Sequence, residues 1–341
     1  MHKEEYLFSK KKVSYLFDYS INQLQQLVDG DIILLTDQTV FNFHQQKFAG
    51  YKTIVIEAGE AFKHQQTVDK IINQLIKFDA DRKTMLVGVG GGVVTDITGY
   101  VASVYLRGVE FAFVPTTILA MVDAAIGGKN GIDVGLYKNM IGTINQPKFL
   151  LYDFSFLQTL PTEQWINGFA EIIKHACIKD AELFAELQHN SIEKYKSDEV
   201  LLTALIQKNV SLKTTIVIKD EFEQGERKLL NFGHTFGHAI ENLYQLPHGN
   251  AVSIGMVLAA KISEEINNFH TVEKDNIIAL LKQYQLSTTL DFDKGKVFSI
   301  LTKDKKRVGD NMNFIVLNKI GEAVIQPISL TQVEDLMHQI L

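Results

Sequence analysis

The sequence predicts a parallel α/β sheet in its first half and a mostly helical second half. Up to about residue 155, short apolar β-rich runs alternate with stretches of helical spacing, and after Pro161 the pattern becomes that of long amphipathic helices. The size agrees: 341 residues, 46% hydrophobic and 22% charged, suffice to bury a core and to make two domains.

The strand candidates are residues 31–36 (DIILLT), 53–56 (TIVI), 84–89 (TMLVGV) and 110–114 (EFAFV), and residues 67–78 have helical spacing between two of them. Runs so continuously apolar suit strands covered on both faces, the arrangement of a parallel sheet. The later amphipathic stretches are 163–179, 198–218, 233–244, 251–268 and 273–284. Neither half carries a repeat, a low-complexity tract or a Pro/Gly/Ser linker. The division into domains 1–158 and 159–341 is therefore read from the change of period alone.

A net charge of −6 argues against nucleic acid as the main partner. The N-terminal residues Met1-His2-Lys3-Glu4-Glu5-Tyr6 are charged and form no apolar signal core, and no run of about 18 apolar residues occurs. The expectation is a soluble cytoplasmic protein that does not enter a membrane. Cys177 is the single cysteine, so no internal disulfide can form. Its thiol is either a nucleophile or a small helix residue, and no His/Asp relay surrounds it in sequence.

Gly88-Val89-Gly90-Gly91-Gly92-Val93 follows a predicted strand and opens a predicted helix. Bare backbone there can approach a pyrophosphate while the helix-end N–H groups face its charge. Val93 stands where the last glycine of G-x-G-x-x-G belongs. An acid about 20 residues on would contact a ribose; Glu110 is there, but it starts a strand and reads as an edge residue. Asp37, at the carboxyl end of a strand, is the better candidate for a ribose diol.

His234 and His238 are four apart in a segment of helical period, so both rings leave one helix face. His248 sits between Pro247 and Gly249, on a turn from which its side chain can point back. Glu171 lies in the apolar run Phe169-Ala170-Glu171-Ile172-Ile173, where a carboxylate is costly unless a cation meets it. Two histidines, one carboxylate and an open position are the ligand set of a catalytic zinc site. The alternative is an ion pair from Glu171 to Lys174 or His175 on its own helix. His234-Thr235-Phe236-Gly237-His238 lacks the glutamate of HExxH, which argues against a protease.

Basic residues beside glycine, an amide or apolar neighbours form an anion-binding set: Arg107-Gly108, Lys129, Lys138-Asn139, Lys213, Arg227 and Lys305-Lys306. Most of the 34 Lys and Arg read as ordinary solvated charges, a reading that Lys129 and Arg227 fit least well. If the helical register of 233–244 extends back through Asn231, then Arg227, Asn231 and His234 face one way.

At these residues the sequence resembles the 3-dehydroquinate synthases, within the sugar phosphate cyclase group. Gly59-Glu60, the 90–96 turn, Tyr105-Leu106-Arg107-Gly108, Pro115-Thr116-Thr117, Val122-Asp123, Ile126-Gly127-Gly128-Lys129, Lys138-Asn139, Gln146-Pro147, Ala170-Glu171 and the 231–241 motif occur in the family's order. The resemblance covers nearly the whole chain. It implies an N-terminal Rossmann-like α/β domain and a C-terminal helical domain, with the active site in the cleft.

By position, the resemblance implies that Glu171, His234 and His248 bind one divalent metal, zinc or cobalt, and that His238 is a proton relay near the reacting phosphate. It places NAD on Asp37, Gly59, Glu60 and Lys63, on the turn Gly92, Val93, Val94, Thr95 and Asp96, and on Thr116 and Thr117. Lys129, Lys138 and the stretch Phe156, Leu157, Gln158 and Thr159 complete the cofactor set. Substrate falls to Asp123, Lys129, Lys138, Asn139, Lys174, Lys213, Arg227, Asn231, His238 and one of Lys305 or Lys306. Arg107 would reach the phosphate in a neighbouring subunit's site, which implies a homodimer.

The implied reaction converts 3-deoxy-D-arabino-heptulosonate 7-phosphate to 3-dehydroquinate and phosphate, with NAD regenerated in every turnover. Three positions depart from the family pattern: Thr95 for a glycine, Tyr137 before Lys138 where small residues are usual, and Asn250 for a glutamate. Thr95 is expected to matter most, since glycine has the wider φ range. The rivals are another sugar phosphate cyclase, a metal-dependent polyol or glycerol phosphate dehydrogenase, and a nucleotide-binding regulatory module without chemistry. No catalytic residue is missing, as that last reading would require. A simple dehydrogenase has no need of carboxylate-binding cations such as Arg227 and Lys213.

Overall fold

The computed structural model describes residues 1–135, 137–302, 307–308 and 310–340. The chain divides into two compact units, Met1–Gln164 with Lys213–Phe222, and Trp165–Leu212 with Glu223–Leu341.

In the first unit, strands β1 (His2–Leu7), β2 (Lys12–Phe17), β3 (Ile32–Asp37), β4 (Lys52–Ile56), β5 (Met85–Gly90) and β6 (Phe111–Pro115) are interleaved with helices α1 (Leu24–Leu27), α2 (Gln38–His44), α3 (Gln65–Lys77) and α4 (Gly92–Val104). The hairpin β7 (Lys129–Val134) and β8 (Tyr137–Ile144) precedes β9 (Phe149–Tyr152). Among the described residues one sheet runs β1-β2-β9-β6-β5-β3-β4, antiparallel only between β1 and β2.

The four expected strands are β3 to β6, each displaced by about one residue, and all of β5 and β6 is buried as a two-sided parallel strand requires. Helix α3 buries Val68, Ile71 and Leu75, the stripe that periodicity foretold. From β3 the chain goes to the edge strand β4 and then returns across β3 to β5. The order of winding therefore reverses between β3 and β5, and open α/β sheets bind ligands beyond the strand ends at such a point. Asp37 ends β3 there, and Gly90 ends β5.

Residues 213–222 are built into this unit. Thr214 Oγ1 donates to Tyr15 Oη at 3.3 Å, and Glu221 accepts from Ser9 N at 3.0 Å and from Gln146 Nε2 at 2.8 Å.

The second unit is mostly helical: α5 (Thr162–Lys179), α6 (Ala181–Gln188), α7 (Ile192–Ser197), α8 (Glu199–Lys219, which from Lys213 onward belongs to the first unit), α9 (His234–Tyr244), α10 (His248–Asn267), α11 (Thr271–Gln283), α12 (Lys294–Leu301) and α13 (Leu330–Ile340). A short strand β10 (Arg307–Val308) pairs with the hairpin β11 (Asn311–Lys319) and β12 (Glu322–Ser329), which is absent from the sequence expectations. Its buried residues Met312, Phe314 and Val316 join one apolar core with Phe236, Ile240, Ile254 and Leu258 from α9 and α10. Among the described residues no helix is long and apolar enough to cross a membrane.

Candidate active site

Three chain segments deliver the metal-type residues in the second unit. Glu171 lies in α5 with no solvent exposure, between buried Ala170 and Ile172. One turn earlier, Asn167 Oδ1 accepts from Gly249 N at 2.7 Å, and a Cβ on Gly249 would come within 2.7 Å of Asn167 backbone. That glycine lets α10 approach α5 closely enough for the next residue back, His248, to reach Glu171. His248 is the first residue of α10, directly after Pro247, rather than a turn residue as its sequence context suggested. His234 opens α9 after Gly233, which is left-handed at φ 78° and whose missing Cβ would meet Met256 N and Val252 O at 2.9 Å.

Glu171 Oε1 lies 3.2 Å from His248 Nε2 and 3.4 Å from His234 Nε2. The other oxygen, Oε2, is paired with Lys174. Ion pair and histidine contacts thus coexist, one on each carboxylate oxygen. Burial opposes the charge of Glu171, yet Lys174 and His234 hold its carboxyl well below the usual range. Burial and Lys174 push His234 down, whereas Glu171 and Glu241 overcome burial and raise His248 to about 10. The candidate ligand atoms of Glu171, His234 and His248 all lie within 4.8 Å of one another. A dehydrated carboxylate facing two imidazole nitrogens is a donor set that fits a divalent ion such as zinc or cobalt.

His238 is outside that group of three. Its ring meets that of His234 edge-on at 5.1 Å, one helical turn along. Arg227 is 2% exposed in a 3-10 turn, Glu226–Asn231, and the register does not continue from there into α9. Phe232 is extended at ψ 126° and Gly233 is left-handed, so a shared helical face for Arg227, Asn231 and His234 is ruled out. Asn231 Nδ2 donates to Glu223 Oε1 at 2.7 Å, a partner that the sequence did not single out because no motif or apolar run frames it.

In the first unit, glycines shape the turn from β5 into α4. A Cβ on Gly90 would overlap Val94 at 2.5 Å, one on Gly91 would meet Thr117 at 3.2 Å, and one on Gly92 would meet Ala124 at 3.2 Å. Each glycine is thus required by close packing of the turn itself, and the turn sets the first N–H groups of α4 at a helix N-terminus, the kind of end that suits a nucleotide pyrophosphate. Val93, Val94, Thr95 and Asp96 follow in the first turns of α4. Thr95 is helical, and its hydroxyl donates to Gly92 O at 3.0 Å, so the departure from glycine causes no backbone conflict. Asp37 caps α2 by accepting from Val40 N at 2.9 Å, and burial raises its pKa. Glu110 lies outside β6, exposed and paired with Lys11 at 3.0 Å, in keeping with an edge residue.

Several predicted site residues of the first unit contact one another in small groups. Lys63 Nζ donates to Asn139 Oδ1 at 2.6 Å and pairs with Asp96, while Lys138 pairs with Glu60 at 3.6 Å. Gly59, at φ 108°, starts the turn that carries Glu60 and Lys63. Thr116 N donates to Gly90 O at 3.0 Å, and Thr117 Oγ1 caps the following turn at Ala120 N. That turn, Ala120–Ala124, is a π-helix, a distortion often found at functional sites, and it carries Asp123. Lys213 Nζ donates to Asp123 O at 2.6 Å and Oδ1 at 2.7 Å. Phe156 and Thr159 pack against His44, whose Nε2 is 2.7 Å from Thr159 Oγ1, while Leu157 is buried and Gln158 exposed.

Lys129 opens β7 on the surface, and Arg107 is exposed in a left-handed turn at φ 66°. Lys305 and Lys306 lie outside the described residues. Cys177 is buried in α5 and burial pushes its thiol far up, which identifies it as a core residue rather than a nucleophile.

The 3-dehydroquinate synthase N-terminal family model matches residues 53–167, and the corresponding C-terminal model matches residues 168–307. A 3-dehydroquinate synthase of Campylobacter concisus is 37% identical over 328 residues, 93% of each chain. One of Pyrococcus abyssi is 40% identical over 291 residues, 84% of each chain. Among solved structures, 2-epi-5-epi-valiolone synthase from Streptomyces hygroscopicus subsp. jinggangensis, determined with NAD+ and Zn2+ bound, superposes with a TM-score of 0.88 at 26% identity and 99% coverage of both chains. With both family models in sequence order over most of its length, the chain belongs to the 3-dehydroquinate synthase family.

Proposed function

We propose that this chain is a carbon–oxygen lyase that converts 3-deoxy-D-arabino-heptulosonate 7-phosphate to 3-dehydroquinate and phosphate, using NAD and one divalent ion, zinc or cobalt. The observation that carries the reading is the fully buried Glu171 carboxylate with the Nε2 atoms of His234 and His248 at 3.4 and 3.2 Å. When bound, NAD supplies a hydride acceptor that is restored in each turnover and the divalent ion supplies Lewis acidity.

Glu171, His234 and His248 hold the ion. Asp37, the glycine turn with Val93, Val94, Thr95 and Asp96, Thr116, Thr117 and the 156–159 stretch hold NAD, with Gly59, Glu60 and Lys63 beside them. Lys129, Lys138, Asn139 and Lys174 bind anionic or hydroxyl groups of the substrate. Asp123 orients Lys213 by two hydrogen bonds, so that its charge stands at a fixed place. Arg227 takes the substrate carboxylate with Asn231 alongside, and His238 moves the proton at the phosphate end. Residues 1–158 are the NAD-binding part and residues 159–341 the metal- and substrate-binding part. The finer reading is a cytoplasmic homodimer in which Arg107 reaches the partner's site; exposed Val104, Leu106, Tyr137 and Met140 are apolar surface suited to being covered.

The test is incubation with the heptulosonate phosphate and catalytic NAD, following phosphate and NADH together. Phosphate release without net NADH is expected. Stoichiometric NADH build-up overturns the reading in favour of a polyol dehydrogenase.

A further inference from the structure

The two candidate histidine ligands differ in what holds the nitrogen turned away from Glu171. His234 Nδ1 lies 3.1 Å from the backbone oxygen of Phe232. His248 Nδ1 lies 3.4 Å from Glu241 Oε2. Glu241 is 7% exposed on α9, seven residues after His234 and so two turns along the same face. Helix α9 therefore carries one candidate ligand and also the carboxylate that meets the other.

A neutral imidazole has one donor and one acceptor nitrogen, and the hydrogen bond made by one decides which faces an ion. In both rings Nδ1 faces an oxygen that can only accept, so with an ion bound each ring would donate from Nδ1 and turn its Nε2 lone pair to the Glu171 side. The acceptors are unequal, since Phe232 offers a neutral carbonyl and Glu241 a carboxylate. A charged acceptor makes the stronger hydrogen bond and increases the basicity of the ring it holds. His248 is also the more exposed ring, with a side chain 27% accessible against 11% for His234, and has more need of a fixed tether.

We propose that Glu241 is a positioning residue of the metal centre: it accepts the Nδ1 proton of His248, fixes that tautomer, and makes His248 the stronger of the two imidazole donors. This rests on the metal role assigned above to Glu171, His234 and His248. The competing role is a staple, in which the Glu241–His248 contact only joins α9 to α10.

The experiment uses full-length, metal-stripped protein: wild type, Glu241→Gln and Glu241→Ala, with Glu171→Ala and His248→Ala alongside. Zinc affinity is measured by competition with a chromophoric chelator, and thermal melting is recorded without metal. Glu241→Ala is expected to weaken zinc binding about 10–100-fold, the range for outer-shell partners of metal-bound histidine. Glu241→Gln keeps an acceptor without the charge and should fall between Ala and wild type. Equal zinc affinity in all three, with only the melting temperature lowered, makes Glu241 a staple and overturns the proposal. Wild-type affinity in Glu171→Ala and His248→Ala overturns the metal reading itself, and this proposal with it. A second measurement needs no variant: long-range 1H–15N spectra of histidine side chains in zinc-loaded wild type. A proton on His248 Nδ1 and metal on Nε2 support the proposal; metal on Nδ1 overturns it.

Discussion

Lys63 Nζ stands 2.5 Å from Asp96 Oδ2, with the lysine side chain 5% and the aspartate side chain 18% exposed. Burial disfavours both charges; Asp96, with Glu60, more than offsets this for Lys63, whereas Lys63 offsets only part of the rise that burial gives the Asp96 carboxyl. Removing one partner strands a charge in a poorly solvated place. Lys63→Met should therefore lower stability by about 3–5 kcal/mol in urea denaturation, the range for breaking a buried ion pair from one side. A loss below about 1 kcal/mol would mean that the pair is solvated like a surface bridge.

Glu171→Ala, His234→Ala and His248→Ala should each lose bound metal and turnover. His238→Ala should retain metal and turn over slowly, because its ring lies outside the group of three ligand atoms. Metal analysis of purified variants checks this, and an empty site in His238→Ala would make that residue a ligand.

Arg227 is 2% exposed, so its guanidinium acts where water screens little. A planar guanidinium can hold a carboxylate by two parallel hydrogen bonds, which lysine cannot reproduce. Arg227→Lys should weaken kcat/KM for the heptulosonate phosphate by about 1.5–3 kcal/mol. Metal and NAD affinity should not change. Full activity, or a preference for a sugar phosphate without the carboxylate, would point to a different cyclase.

Asp37→Asn should separate cofactor binding from stability. Asparagine caps a helix about as well as aspartate, so α2 is preserved. Burial raises the Asp37 pKa in the folded protein. A carboxyl raised on folding stabilises the fold at low pH, and that contribution is lost as pH rises through the folded pKa. The variant should thus equal or exceed wild type in denaturant stability at pH 7 and compare less favourably at pH 4. NAD affinity should fall, as calorimetric titration would record.

The legibility of this chain follows its physics. Strands β3 to β6 were readable because strands buried on both faces become unbroken apolar runs. The edge strand β1 alternates exposed and half-buried residues and gave no such run. The hairpin β7–β8 was hidden because its outer face is exposed and its glycines allow close backbone approach; a Cβ on Gly142 would come within 2.3 Å of Asn130 O. At the site, the buried acid Glu171 and the histidine spacing were visible locally. Glu241 and Glu223 acquire meaning only from what folding places beside them. The supposed register from Arg227 to His234 failed because a left-handed glycine intervenes, and spacing alone does not reveal where a helix is cut.

Residues 213–222 belong to the first unit although 48 residues of the second precede them in the chain. During synthesis the sheet is therefore complete in strands long before it is complete in contacts. Ser9, Tyr15 and Gln146 wait for Thr214 and Glu221, and Asp123 waits for Lys213. At about 5–20 residues per second, the interval from Gln164 to Phe222 lasts roughly 3–12 s. Over that time the nascent first unit carries an unfinished surface beside its π-turn, and a ribosome pause after Gln164 would prolong the exposure without altering a single contact of the finished protein.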